Sequence, residues 1–291
     1  MPWLQLRINS SRELANNIES ELSRLGALAV TLQDNADQPI FEPELGETPL
    51  WQETRITGLF EASVDTQALL QQVQQRCPEV DDAHWHQLED KDWEREWMQH
   101  FHPIQCADNL WICPSWLEPP EPAAVNLKLD PGLAFGTGTH PTTFLCLQWL
   151  SQQDVEGKQL VDYGCGSGIL GVAALLLGAE SVCGIDIDPQ ALLATRDNTL
   201  RNGLPAESFP VYYPGKCPQT EVDLVLANIL AGPLVDLAPT LSALVRPGGL
   251  LCLSGILATQ GASVEAAYAN DFDIEHRAER EEWLCLAARK K

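Results

Sequence analysis

Leu160-Val161-Asp162-Tyr163-Gly164-Cys165-Gly166-Ser167-Gly168 passes from an apolar run through three alternate glycines into a second apolar run, Ile169 to Leu177. The first run reads as a buried strand and the second as a helix closed by Gly178. Between them the glycines permit positive φ and close approach of the backbone to a ligand, and the helix start offers free N–H groups. By letter, Gly166-x-Gly168-x-x-Gly171 also satisfies a dinucleotide fingerprint, with Asp186 following 20 residues after Gly166. Two features weigh against that reading. Asp162 stands just before the turn, placed to meet an ammonium group rather than a pyrophosphate. The triplet also begins at the strand end, so that Gly166 to Gly171 runs partly inside the helix.

Outward from this turn, the chain beyond residue 140 alternates helices and strands. Helices are expected over Pro141–Leu150, Gly168–Leu177, Pro189–Arg201, Leu234–Leu244 and Thr259–Tyr268. Strands are expected over Gln159–Asp162, Ser181–Ile187, Phe209–Tyr213, Val222–Ala227, Gly249–Ser254, Phe272–Ala278 and Trp283–Ala288. Near-continuous apolar strands of this kind imply a parallel sheet covered on both faces. Only Glu279 to Glu282 separate the last two strands, too few residues for a crossover, so these form an antiparallel hairpin. The fold class is α/β, a doubly wound sheet ending in that hairpin.

The first ninety residues read differently, as β-α-β-β-α-β, the split βαβ order of a small ferredoxin-like α+β unit. Ser10 or Ser11 caps a helix whose Leu14, Ile18, Leu22 and Leu25 recur at helical spacing. The expected organisation is a small α+β domain over 1–89, a linker helix with short strands over 90–128, and the doubly wound α/β domain over 129–291.

Composition narrows the function classes. Eighteen Lys and Arg stand against 41 Asp and Glu in 291 residues, a formal charge of -23. Such a chain repels phosphate, so no nucleic acid or anionic membrane is expected as a partner, and a basic one is natural. The N-terminus has no basic then apolar leader, and no stretch reaches 18 apolar residues. Nine scattered cysteines without a Cys-x-x-Cys pair argue against a disulfide framework and a structural zinc site. A cytoplasmic monomer without a metal is the expectation. His84-x-His86 and His100-x-His102 lack companion ligands at a diagnostic spacing.

Three further segments carry chemistry. Asp186, in Gly184-Ile185-Asp186-Ile187-Asp188-Pro189, ends the next strand, where a carboxylate accepts both ribose hydroxyls, while Asp188 reads as a helix N-cap. Leu129-Asp130-Pro131-Gly132-Leu133-Ala134-Phe135-Gly136-Thr137-Gly138-Thr139-His140-Pro141-Thr142-Thr143 is a glycine- and threonine-rich loop suited to fold over a ligand before a helix capped by Thr139 or His140. Asn228-Ile229-Leu230-Ala231 lies at the carboxyl end of a central strand, where open sheets bind ligands.

Taken together, these motifs resemble class I S-adenosylmethionine-dependent methyltransferases, whose seven-stranded sheet ends in an antiparallel hairpin. Over essentially the whole chain, and most specifically in Phe135-Gly136-Thr137-Gly138-Thr139-His140-Pro141-Thr142-Thr143, the sequence resembles the PrmA family. That resemblance implies methylation of the large-subunit ribosomal protein L-eleven, free or ribosome-bound. The expected products are trimethylated at the N-terminal α-amino group and at lysines. It implies S-adenosylmethionine as cofactor and a small N-terminal domain that recognises the substrate. Carried over by motif, Thr143, Gly164, Asp186 and Asn228 contact the cofactor; Phe135, Gly136, Thr137, Asp162, Gly166, Gly168 and Ile187 complete the expected set. Asn228, with neither proline pair nor aromatic after it, suits an aliphatic amine rather than a planar amide or adenine. The alternatives are a methyltransferase for another basic protein or a small molecule, a nicotinamide-dependent dehydrogenase, and a non-catalytic ribosome-associated protein.

Overall fold

The structure is a computed structural model that describes residues 3–36, 38, 40, 49–80, 82–88, 101–130, 138–218 and 221–291. The chain divides into two compact units, Met1–Met98 and Gln99–Lys291. The helix expected over 91–99 lies outside the described residues, as do Phe135, Gly136 and Thr137 of the expected cofactor set.

In the first unit, β1 (Trp3–Ser11), α1 (Arg12–Arg24), β2 (Ala29–Asp34), β3 (Glu53–Glu61), α2 (Thr66–Arg76) and β4 (Ala83–Leu88) follow one another. The strands pair antiparallel in the order β2-β3-β1-β4. Leu6 and Ile8 of β1 and Ile56 and Phe60 of β3 alternate onto one face, and Ile18 and Leu22 of α1 close over them, all buried. Asp65 caps α2 by accepting from the N–H groups of Gln67 and Ala68 at 3.1 and 3.0 Å.

In the second unit, β5 (Ile104–Ala107), β6 (Leu110–Cys113) and β7 (Val125–Lys128) form a separate sheet. Here the expected linker over 90–128 is corrected. Leu110, Ile112 and Leu127 are buried in the same apolar cluster as Leu145, Leu147 and Leu170, so these strands are part of the second unit's core.

Seven further strands make the main sheet: β8 (Gln159–Tyr163), β9 (Ser181–Ile185), β10 (Val211–Tyr212), β11 (Val222–Asn228), β12 (Val245–Leu257), β13 (Phe272–Arg280) and β14 (Trp283–Lys290). Their order is β10-β9-β8-β11-β12-β14-β13, parallel except for the last two pairings. Both faces are buried because successive side chains alternate. Leu160, Leu224 and Leu226 belong to one apolar cluster, and Val161, Val225 and Ala227 to the other. The helices are α3 (Pro141–Leu150), α4 (Ile169–Leu176), α5 (Pro189–Arg201), α6 (Ala231–Asp236), α7 (Ala238–Leu244) and α8 (Gly261–Tyr268). Residues of α3, α4 and α5 pack in the first cluster, and those of α6, α7 and α8 in the second.

Several expected elements change on folding. The helix read over Leu234–Leu244 is two, broken at Leu237, because Pro239 in the first turn of α7 has no N–H to continue α6. The strand read from Phe209 shrinks to Val211–Tyr212 since the Phe209 ring is 1% exposed and turned into the core. A Cβ at Gly171 would stand 2.1 Å from that ring, so the third glycine of the letter fingerprint makes room for a side chain, not a pyrophosphate. The sulfurs of Cys183 and Cys217 lie in contact, a proximity that sequence spacing did not signal; the seven remaining cysteines are free and buried.

Candidate active site

The chain runs from β8 through β9 to β10 toward one edge, then returns to β11 and continues toward the other. The carboxyl ends of β8 and β11 therefore flank the point where strand order reverses, where a crevice opens in sheets of this kind. Tyr163 pairs with Ala227 across it, which sets Gly164 and Asn228 at the two lips.

On the β8 side, Gly164, Gly166 and Gly168 have φ of 74°, 55° and 78°. The turn they form is held from several directions. The N–H groups of Gly164 and Cys165 both donate to the Ile185 carbonyl, at 2.7 and 3.1 Å. Thr195 donates its hydroxyl to the Gly166 carbonyl at 3.1 Å, and Asn198 its amide to the Ser167 carbonyl at 2.8 Å, so α5 braces the turn. Asp186, just past the end of β9, accepts from the Gly166 N–H at 2.9 Å through one oxygen. Its other oxygen accepts from the Asp188 N–H at 2.9 Å. The two motifs read separately in the sequence thus meet in one hydrogen-bonded unit. Each carboxylate oxygen keeps a further lone pair for a hydroxyl. Asp188 itself caps α5 by accepting from Gln190 N–H at 2.8 Å, as expected.

Asp162 has a partner that the sequence did not announce. Its side chain is 1% exposed, and Oδ2 accepts from the Gly171 N–H in the first turn of α4 at 3.0 Å. Burial pushes its carboxyl up to about 8; the Gly171 N–H opposes the shift, and Cys146 and Asp186 add to it. Cys165, within the turn, is 5% exposed, with its thiol pushed up by burial.

On the β11 side, Asn228 donates from Nδ2 to the Thr143 hydroxyl at 3.2 Å. Thr143 is fully buried in α3, so this bond fixes the amide's orientation from beneath. The amide oxygen, Oδ1, is buried and has no hydrogen-bond partner among the described residues. An acceptor left unmade in this way costs roughly 1–3 kcal/mol and marks a place where a donor is missing. α3 is set by its own cap: His140 Nδ1 accepts from Thr142 N–H at 3.3 Å, and its ring meets Trp283 edge-on at 4.9 Å between centroids. Ser254, also fully buried, donates to the Thr142 carbonyl at 3.2 Å and ties α3 to β12. This latch was missed in the sequence, because Ser254 and Thr142 sit 112 residues apart with no local signal.

The residues present suit a nucleoside-bearing ligand. Ile187 is 81% exposed directly after Asp186, an apolar platform beside the carboxylate. Asp186 offers acceptors, the glycine turn offers backbone, and Asn228 offers an unmatched oxygen across the crevice.

A family description, "Ribosomal protein L11 methyltransferase (PrmA)", matches residues 2–291. The chain belongs to that family. Among curated relatives, the ribosomal protein L11 methyltransferase of Teredinibacter turnerae is 66% identical over 292 residues, covering 100% of this chain and 98% of the relative. That of Saccharophagus degradans is 63% identical over 292 residues, with 100% of both chains covered. The crystal structure of the ribosomal protein L11 methylase from Lactobacillus delbrueckii subsp. bulgaricus superposes with a TM-score of 0.59 at 34% identity. It covers 66% of this chain and 100% of that one. The chain is a methyltransferase that uses S-adenosylmethionine. Membership of this family sets aside the dehydrogenase and the non-catalytic readings.

Proposed function

We propose that this chain transfers methyl groups from S-adenosylmethionine to the N-terminal α-amino group and lysine ε-amino groups of ribosomal protein L11, up to the trimethylated state. The names carried by its relatives supply the substrate. The observation that carries the amine chemistry is the buried, unpaired Oδ1 of Asn228 at the sheet's reversal point.

Bound S-adenosylmethionine supplies an electrophilic methyl on a sulfonium. Everything else falls to the chain. Asp186, its carboxylate held in place by Gly166 N–H, would accept the ribose hydroxyls, and Ile187 would offer an apolar surface to the base. Gly164, Gly166 and Gly168 let the backbone approach, with Asp162 behind the turn and Thr143 under Asn228. Phe135, Gly136 and Thr137 complete the cofactor-binding set in this reading. Asn228 Oδ1 would accept an N–H of the substrate amine and so aim its lone pair at the methyl that the cofactor offers. A lysine ammonium titrates near 10.4, so it sheds a proton to solvent before attack. Desolvation in the crevice favours the neutral amine. One weak acceptor suits successive methylation, since each cycle removes an N–H donor.

The first unit, ferredoxin-like in its strand order, is the recognition domain in this reading, and the second carries the catalytic sheet of class I methyltransferases. The protein works as a cytoplasmic monomer, on free or ribosome-bound substrate.

Isotope-labelled S-adenosylmethionine with unmethylated L11, free and on ribosomes, tests this by mass spectrometry of the modified residues. Label is expected at the N-terminus and at lysines in steps of one to three methyls. Asn228→Ala is expected to lower turnover roughly a hundredfold through misaimed attack, with cofactor affinity changed far less. No label on either substrate, while the cofactor binds, would move the assignment to another basic protein or a small molecule.

A further inference from the structure

Three thiols converge beneath the site, from elements distant in sequence. Cys146 comes from α3, one turn beyond Thr143; Cys252 comes from β12, and Cys285 from β14. All three are fully buried, and their sulfurs lie within 4.8 Å of one another. The Cys252 and Cys285 sulfurs are 3.6 Å apart. The groups acting on them are one another, Ser254 and, through Cys146, the carboxyl of Asp162. No Lys, Arg or His is among those groups.

We propose that Cys146, Cys252 and Cys285 form a three-coordinate site for a thiophilic trivalent metalloid of the arsenous acid class. Donor type narrows the ligand to a soft centre, because three sulfurs converge and no carboxylate oxygen or imidazole of the described residues joins the group. Charge then decides among soft centres. Three thiolates around a monovalent copper ion carry two net negative charges, and around a divalent zinc ion one. Either would sit unpaired in an apolar core beside Asp162, at a large desolvation cost. Three thiolates on a trivalent metalloid are neutral. Its pyramidal, lone-pair geometry also asks for three ligands and no fourth.

The bond chemistry balances without an oxidant or reductant. Each As–O bond of arsenous acid breaks as an As–S bond forms, and the thiol proton leaves with the hydroxide as water. Three thiols and one arsenous acid give one neutral trithiolate and three waters. With all three sulfurs buried, entry requires transient opening of α3 or capture during folding.

The test uses the full chain carrying Cys217→Ala, which removes the other close thiol pair. This protein is incubated with sodium arsenite under reducing conditions, both as the native protein and during refolding. Native mass spectrometry is expected to find one arsenic per chain, and a denaturing thiol count to fall by three. Cys146→Ala, Cys252→Ala and Cys285→Ala, with Cys→Ser at each position where alanine fails to fold, are each expected to weaken retention at least roughly tenfold by removing one arm of the chelate. Cys77→Ala should leave it unchanged. Zinc offered in place of arsenite should not be retained. The proposal is overturned if arsenic is not retained by either route, if the thiol count falls by fewer than three, if the three substitutions leave retention intact, or if zinc is held as tightly.

Discussion

Asn228, half-buried, and Asp162, fully buried, are two polar side chains whose environments set opposite tasks. Asn228 presents a neutral acceptor with nothing opposite it, fixed by the Thr143 hydroxyl behind it. Asp162 is a carboxyl with one N–H partner in an apolar surround, so burial pushes it up to about 8. In the unfolded chain such a group titrates near 3.9. Between those values the folded protein holds a proton that the unfolded chain has released. This group's contribution is therefore complete below about pH 4 and is lost as pH rises through about 8. Urea unfolding of the ligand-free protein at pH 5 to 9, alongside Asp162→Asn, measures the difference. The unsubstituted protein should lose stability relative to the variant by a few kcal/mol over that range, and parallel curves would rule the effect out. A bound ammonium beside Asp162 would favour its charged form, so cofactor affinity should rise with pH over the same window and not in Asp162→Asn.

Among the elements, the glycine turn shows how a short motif is enforced by its neighbours. Gly164 has φ of +74°, and a Cβ there would lie 2.2 Å from the Ile229 Cγ2 atom just beyond β11. Gly157 has φ of +65° with nothing within 4 Å of its Cβ position. Alanine at Gly157 should cost about 1–2 kcal/mol for the left-handed backbone alone. At Gly164 the same change should cost more and also weaken cofactor binding, because the turn must move from the crevice. Thermal melts and a cofactor titration of the pair separate the two effects; equal losses with unchanged affinity would contradict the assignment. The limits of α3 and α5 were legible because Pro141 and Pro189 stand at N1 after capping residues, His140 and Asp188. The closing hairpin was legible from its short turn. The early start of β12 at Val245 and the break at Leu237 were not, since they depend on pairing with β11 and on how α6 and α7 pack.

For the molecule as a whole, the charge of -23 is the property most open to experiment. A field of that sign speeds encounter with a basic protein substrate, and salt shortens its reach from a Debye length of about 10 Å at 0.1 M to about 3 Å at 1 M. Accordingly kcat/KM for L11 should fall as ionic strength rises while kcat stays nearly constant. A flat kcat/KM across that range would show that the field does not steer the substrate. Much else at this scale was decided locally. Alternation of apolar residues, capping residues, glycine spacing and a turn too short for a crossover are properties of neighbouring residues, and they determined the α/β class, the hairpin and the glycine turn. Acidic composition determined the sign of the field. What only tertiary structure decided are relations between residues far apart in the chain: Gly166 N–H on Asp186, Thr143 under Asn228, Phe209 against Gly171, strands 104–128 in the second unit's core, and three cysteines meeting from α3, β12 and β14. Such contacts leave no periodic trace in one sequence, because they depend on which buried faces meet once the sheet has closed and each buried polar atom has found, or lacks, a partner.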